Sequence, residues 1–98
     1  MMRIASGVLV VAAAATPKPL TTTEYHGCRS VFVQPKTNDD GTPANTSTVR
    51  LDHTAALAPT GLELGPTSSG IFIPCNDPSK LFVDVVTNDD SVVWMAFG

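Results

Sequence analysis

The sequence predicts an all-β protein, a single antiparallel β-sandwich of jelly-roll-like form with seven or eight short strands. Three observations carry this. Apolar or alternating runs of four to seven residues recur along the chain, each bounded by turn residues. Helical periodicity is nearly absent, because Pro, Gly or β-branched residues interrupt every stretch long enough to show it. Seven Gly and eight Pro in 98 residues exceed what a helical bundle would carry. A chain this size buries roughly 64 % of the surface it exposes when unfolded, enough for one modest core. It therefore forms one domain overall, divided into a strand or arm over 1–25 and a sandwich over 26–98.

In chain order, Val8 to Ala14 is the first candidate strand, stopped by Pro17-Lys18-Pro19. Its preceding Met1-Met2-Arg3 tip also resembles a short secretory signal, but it is too short to span a bilayer as a helix. The strand reading is preferred. Leu20 to Tyr25 is a further extended piece, since Thr21-Thr22-Thr23 is β-branched. The remaining candidates are Ser30 to Pro35, Thr48 to His53, Leu62 to Leu64, Gly70 to Pro74, Lys80 to Thr87 and Val92 to Phe97.

Turn chemistry separates these runs. Asn38-Asp39-Asp40-Gly41, Gly65-Pro66, Asn76-Asp77-Pro78 and Asn88-Asp89-Asp90 supply residues that tolerate reversals. Ser30 to Asp40 also aligns with Lys80 to Asp90: an apolar strand runs into Thr-Asn-Asp-Asp in both. The repeat is expected to be one hairpin used twice, once per half of the sandwich.

Alternation identifies the buried faces. Val49, Leu51 and His53 oppose Thr48, Arg50 and Asp52, as in a strand wet on one side. The last two strands are apolar on both faces. Leu81, Val83 and Val85 oppose Phe82 and Val86, while Val92, Trp94 and Ala96 oppose Val93, Met95 and Phe97. A domain this small has too little protein to cover both faces, so one is expected to meet another chain. The candidate interface residues are Val93, Met95 and Phe97, or alternatively Phe82 and Val86, together with Pro17, Pro19 and Leu20 of the Pro-stiffened N-terminal segment. That segment either pairs with a neighbour's sheet edge or forms the edge strand of its own sandwich.

Catalytic and metal chemistry find little support. The charge of −3, with six scattered basic residues, provides no cationic stripe for nucleic acid. There is no Gly-x-Ser-x-Gly elbow, phosphate loop or dinucleotide fingerprint. His26 and Cys28 would leave an extended strand on one face about 6.6 Å apart, long for a thiolate–imidazolium pair. His26, Cys28, His53 and Cys75 have zinc-ligand chemistry without the paired spacing of structural zinc modules. The Asn-Asp-Asp turns lack the spaced carboxylates of an EF-hand. Cys28 and Cys75 are read as reduced, buried thiols of an intracellular protein. No cofactor, metal, nucleic acid or membrane partner is expected, and no enzymatic activity.

The segments Gly61-Leu62-Glu63-Leu64, Ile71-Phe72-Ile73-Pro74, Asp77-Pro78-Ser79-Lys80-Leu81-Phe82-Val83-Asp84 and Val92-Val93-Trp94-Met95-Ala96 resemble small virion structural proteins of tailed bacteriophages. Thr60 opens the resembling stretch, and the upstream runs Ser30 to Gln34 and Thr48 to Leu51 fit the same layout. The resemblance covers roughly Cys28 to Gly98. The chain departs from the pattern in its Gly65-Pro66 order and in Thr67-Ser68-Ser69, which stands where an acidic residue is common.

The resemblance implies a capsid decoration (cement) protein, often a homotrimer, bound to the major capsid protein on the capsid exterior and made in the host cytoplasm. A tail, neck or fibre-base component is the second reading. A secreted ligand-binding sandwich with a cleaved signal and a Cys28–Cys75 bridge is the third.

Overall fold

A computed structural model describes residues 2–53 and 61–98. Thr60 and Met1 lie outside the described residues. Among the described residues eight strands follow one another: β1 (Arg3–Val10), β2 (Lys18–Pro19), β3 (Ser30–Pro35), β4 (Val49–Asp52), β5 (Leu62–Leu64), β6 (Ile71–Pro74), β7 (Phe82–Val85) and β8 (Ser91–Phe97). A 3-10 turn at Pro78–Lys80 precedes β7, with the Asp77 side chain accepting from the Ser79 amide.

The strands form two four-stranded antiparallel sheets. Sheet A has the order β1-β8-β3-β6 and sheet B the order β2-β7-β4-β5. Strand 1 pairs with 8, 2 with 7, 3 with 6 and 4 with 5. The chain is thus one long hairpin folded at its middle and rolled up, with β3·β8 and β4·β7 as the contacts that close the roll. This is the jelly-roll form of the β-sandwich.

The core is what period-two alternation dictates. Val31, Val33, Ile73, Val92, Trp94 and Ala96 from sheet A meet Val49, Leu51, Leu64, Val83 and Val85 from sheet B in one cluster. Gly7 lies opposite Trp94 in the β1·β8 register. A Cβ at Gly7 would come within 3.0 Å of the indole nitrogen, so a strand-interior glycine lets the large ring lie over the β1 backbone.

Several sequence expectations need correction. The first strand runs over Arg3–Val10 rather than Val8 to Ala14, and Ala12 to Ala15 leave the sheet. Pro17-Lys18-Pro19 does not simply stop it: Lys18–Pro19 forms β2 at the edge of sheet B, where a proline without an amide hydrogen is tolerated. Leu20 to Tyr25 contains no strand. The N-terminal segment is therefore built into its own sandwich through β1 and β2.

Neither repeated Asn-Asp-Asp turn joins its flanking strands as a hairpin, although Asn38-Asp39-Asp40-Gly41 does close a short antiparallel reversal, with a Thr37–Pro43 bridge and the Asn38 amide donating to the Thr42 carbonyl at 2.8 Å. The first lies in the passage from β3 in sheet A to β4 in sheet B, the second in the return from β7 in sheet B to β8 in sheet A. The shared strand pattern does place equivalent residues alike, since Val31 and Val33 are buried as Leu81 and Val83 are.

These two corners are fastened together. The buried Asp90 carboxylate accepts the Thr46 and Ser47 amides, each at 2.9 Å. The buried Asn45 side chain donates to the Ser91 carbonyl and accepts the Ser91 amide, both at 2.8 Å. Truncating Asn45 leaves the Ser91 amide without this partner, while the Ser91 carbonyl keeps the Lys36 amide at 3.1 Å. Asn45→Ala is therefore expected to lower stability by roughly 1–3 kcal/mol, read by urea denaturation, with an unchanged denaturant slope.

Candidate interaction surface

Alternation in β8 sends Val92, Trp94 and Ala96 inward and Val93, Met95 and Phe97 outward. The outward set does not stand alone. Register places Ser6, Met95, Phe32 and Phe72 in one row across all four strands of sheet A. The next row brings Val8, Val93 and Gln34 together. Phe32 and Phe72 pack as tilted rings with centroids 4.8 Å apart, and Phe72 and Phe97 lie at 5.9 Å. The result is a continuous apolar surface on the outside of sheet A, with Phe72 still 55 % exposed and Met95 36 %.

The outside of sheet B differs in kind. Its central row is Asp84, Arg50 and Glu63, with an Arg50 Nε–Glu63 Oε1 ion pair at 3.4 Å. Phe82 is half-buried on this sheet and pairs with Pro19 on one side and Asp52 on the other. Val86 is exposed just beyond β7. The two alternative patches thus belong to opposite faces, and only the Val93, Met95 and Phe97 patch is part of an extended apolar surface.

Leu20 is a correction. It is buried in the core and its amide donates to the Leu81 carbonyl at 2.9 Å, so it cannot serve as a contact residue. Pro17 and Pro19 are half-buried beside it. Sequence reading missed Phe32, Phe72, Val8 and Val10 as surface residues. The signal was present for two of them: once Val31 and Val33, or Ile71 and Ile73, point inward, the phenylalanine between must point outward.

Among the described residues, no group of three or more His, Cys, Asp or Glu is placed to hold a metal ion. Cys28 and Cys75 are buried and unbridged. The Cys28 thiol donates to the Ser30 carbonyl at 3.5 Å and the Cys75 thiol to the Asp77 carbonyl at 3.1 Å. Burial raises both thiols above their ordinary pKa, which disfavours the nucleophilic thiolate. Cys75 borders an open cleft of about 430 Å³, also lined by Arg29, His53, Asp77 and Lys80.

The thiols predict a pH dependence. Their folded-state pKa values lie above the unfolded ones, so the folded chain binds more protons wherever the unfolded chain ionises. This contribution to stability is fully present below about pH 8 and falls as pH rises through and beyond about 9. Urea midpoints across that range check it, and a Cys28→Ala/Cys75→Ala variant should lose the alkaline decline that the thiols cause.

Compared with protein-family models, with curated proteins and with solved structures, the chain gives no match.

Proposed function

We propose that the chain is a non-enzymatic structural protein that joins a larger assembly through the outside of sheet A, and that this assembly is a bacteriophage capsid. The observation that carries the first part is the apolar surface centred on Phe72, Met95 and Phe97, which a free domain has no folding reason to leave facing water. The second part rests on the likeness of the Cys28 to Gly98 segments to small virion structural proteins.

In this role the protein is a decoration, or cement, protein. The outside of sheet A lies against shell subunits, and the charged outside of sheet B faces solvent. Adhesion comes from removing apolar surface from water, at about 25 cal/mol per Å², and the symmetry of the shell repeats each contact over the particle.

Copy number tests the proposal. Quantitative mass spectrometry of purified particles should find hundreds of copies in fixed ratio to the major capsid protein. A dozen or fewer would move the protein to the tail, neck or fibre base, and absence from particles would overturn the virion role.

A further inference from the structure

Among the described residues four strands form the edges of the two sheets, and three of them are poor templates for another chain. β2 has two residues and contains Lys18 and Pro19; β5 has three and carries Glu63; β6 has four and ends at Pro74. Short length, charge and proline are the ordinary means of blunting a sheet edge. The fourth edge, β1, is eight residues long; its register shift lies at the start, between Arg3 and Ala5, and from Ala5 to Val10 it carries neither charge nor proline.

The free side of β1 also offers backbone groups. The Val11 amide donates to the Asp90 carbonyl at 3.1 Å, toward the β8 side. Antiparallel alternation then turns the amides and carbonyls of Leu9, Gly7 and Ala5 toward β8 and those of Val10, Val8 and Ser6 away from it. Val8 and Val10 are more than half exposed at the same edge.

We propose that β1 pairs antiparallel with β1 of a second copy about a two-fold axis. Two identical strands related in this way are self-complementary, so one free edge satisfies the other. Pairing centred on Val8 sets Val8 opposite Val8, Ser6 opposite Val10 and Gly7 opposite Leu9. In that register the edge-facing amides of Ser6, Val8 and Val10 donate to the edge-facing carbonyls of Val10, Val8 and Ser6 of the second copy, and no charge faces a like charge.

A shift by one residue would oppose inward-facing to outward-facing side chains, which excludes odd registers. The product is an eight-stranded sheet whose two apolar outer faces run into one another. A foreign strand would gain the backbone bonds, but nothing in the uncharged β1 selects one. The inference deepens the assembly reading by naming the copy-to-copy contact, yet it is measured on the isolated chain.

The test is the solution mass of the full chain, by light scattering and sedimentation over a range of concentrations. The wild-type chain is expected at twice the monomer mass. Val8→Pro removes an amide hydrogen that the β1·β8 ladder does not use, and Val8→Lys adds an edge charge. Both should halve the mass while leaving the β-sheet circular dichroism unchanged; the lysine variant decides the matter if the proline variant misfolds.

A monomeric or trimeric wild type would overturn the pairing, as would a Val8→Lys dimer. Dimerisation lost on Met95→Glu but kept in Val8→Lys would place the contact on the sheet face instead. Failure of the capsid reading would appear only as absence from particles, with the dimer intact.

Discussion

Gly70→Ala is expected to destabilise the domain by roughly 2–5 kcal/mol, a large share of the 5–15 kcal/mol typical of a whole domain. Two penalties act at this position. Gly70 has φ +98°, a backbone conformation that costs a residue with a Cβ about 1–2 kcal/mol. The added Cβ would also come within 2.5 Å of the Phe32 ring and 2.8 Å of the Val33 carbonyl oxygen. The ring can turn, but the carbonyl belongs to β3, which is held by β6 on one side and β8 on the other.

A second glycine separates the two terms. Gly41 has φ +84°, and its Cβ would meet nothing within 4 Å. Gly41→Ala should therefore show the conformational cost alone, and Gly70→Ala that cost plus the clash. Urea unfolding of both variants measures the difference. Equal losses would mean that the β5-to-β6 passage yields enough to absorb the contact.

The sequence made the central strands easy to read and the sheet order hard. Ser30–Pro35 and Leu62–Leu64 coincide with their predicted bounds because alternation and flanking turn residues mark both ends. β1 was displaced toward Val8 to Ala14 because alanines following Val11 show no turn signal, although the structure leaves the sheet there. β2 was illegible for another reason: two residues have no period, and proline argues against a strand except at an edge.

Pairing itself is long-range. Asn-Asp-Asp suits a hairpin and an inter-sheet corner equally, and only the partners of Asp90 and Asn45, more than forty residues away, distinguish them. The same limit applies to the surface. Both faces of β8 read as apolar in the sequence. That Val93, Met95 and Phe97 continue into Phe32, Phe72 and Val8 depends on which strands flank β8. Leu20 failed in the opposite sense: one leucine after Pro-Lys-Pro reads as an exposed arm, whereas its bond to Leu81 draws it inward.

The sheet A surface gives the other large effect. The double substitution Phe72→Glu/Met95→Glu is expected to leave the fold intact and abolish incorporation into particles. Phe72 lies on an edge strand and is more than half exposed, and Met95 points away from the core, so neither supports the sandwich interior. Loss of the Phe32–Phe72 and Phe72–Phe97 ring contacts should cost about 1–3 kcal/mol, leaving a cooperative transition at a lower midpoint.

Docking exacts a much larger penalty, because each carboxylate would have to lose its water without a partner, at several kcal/mol apiece. At about 1.4 kcal/mol per tenfold in affinity, two such groups reduce occupancy below detection. Val86→Glu is the matched control. It adds a carboxylate to an exposed position on the already charged side of the sandwich, and occupancy should stay at the wild-type level. The reverse pattern, with particles tolerating charge at Phe72 and Met95 but rejecting it at Val86, would turn the molecule over on its shell. The apolar surface would then face outward, available to a second partner, and sheet B would have to bind through Arg50, Glu63 and Asp84. Contacts of that kind weaken as salt is raised, whereas burial of Phe72 and Met95 does not depend on screening. Occupancy of the wild-type protein across a salt series therefore distinguishes the two orientations without any substitution.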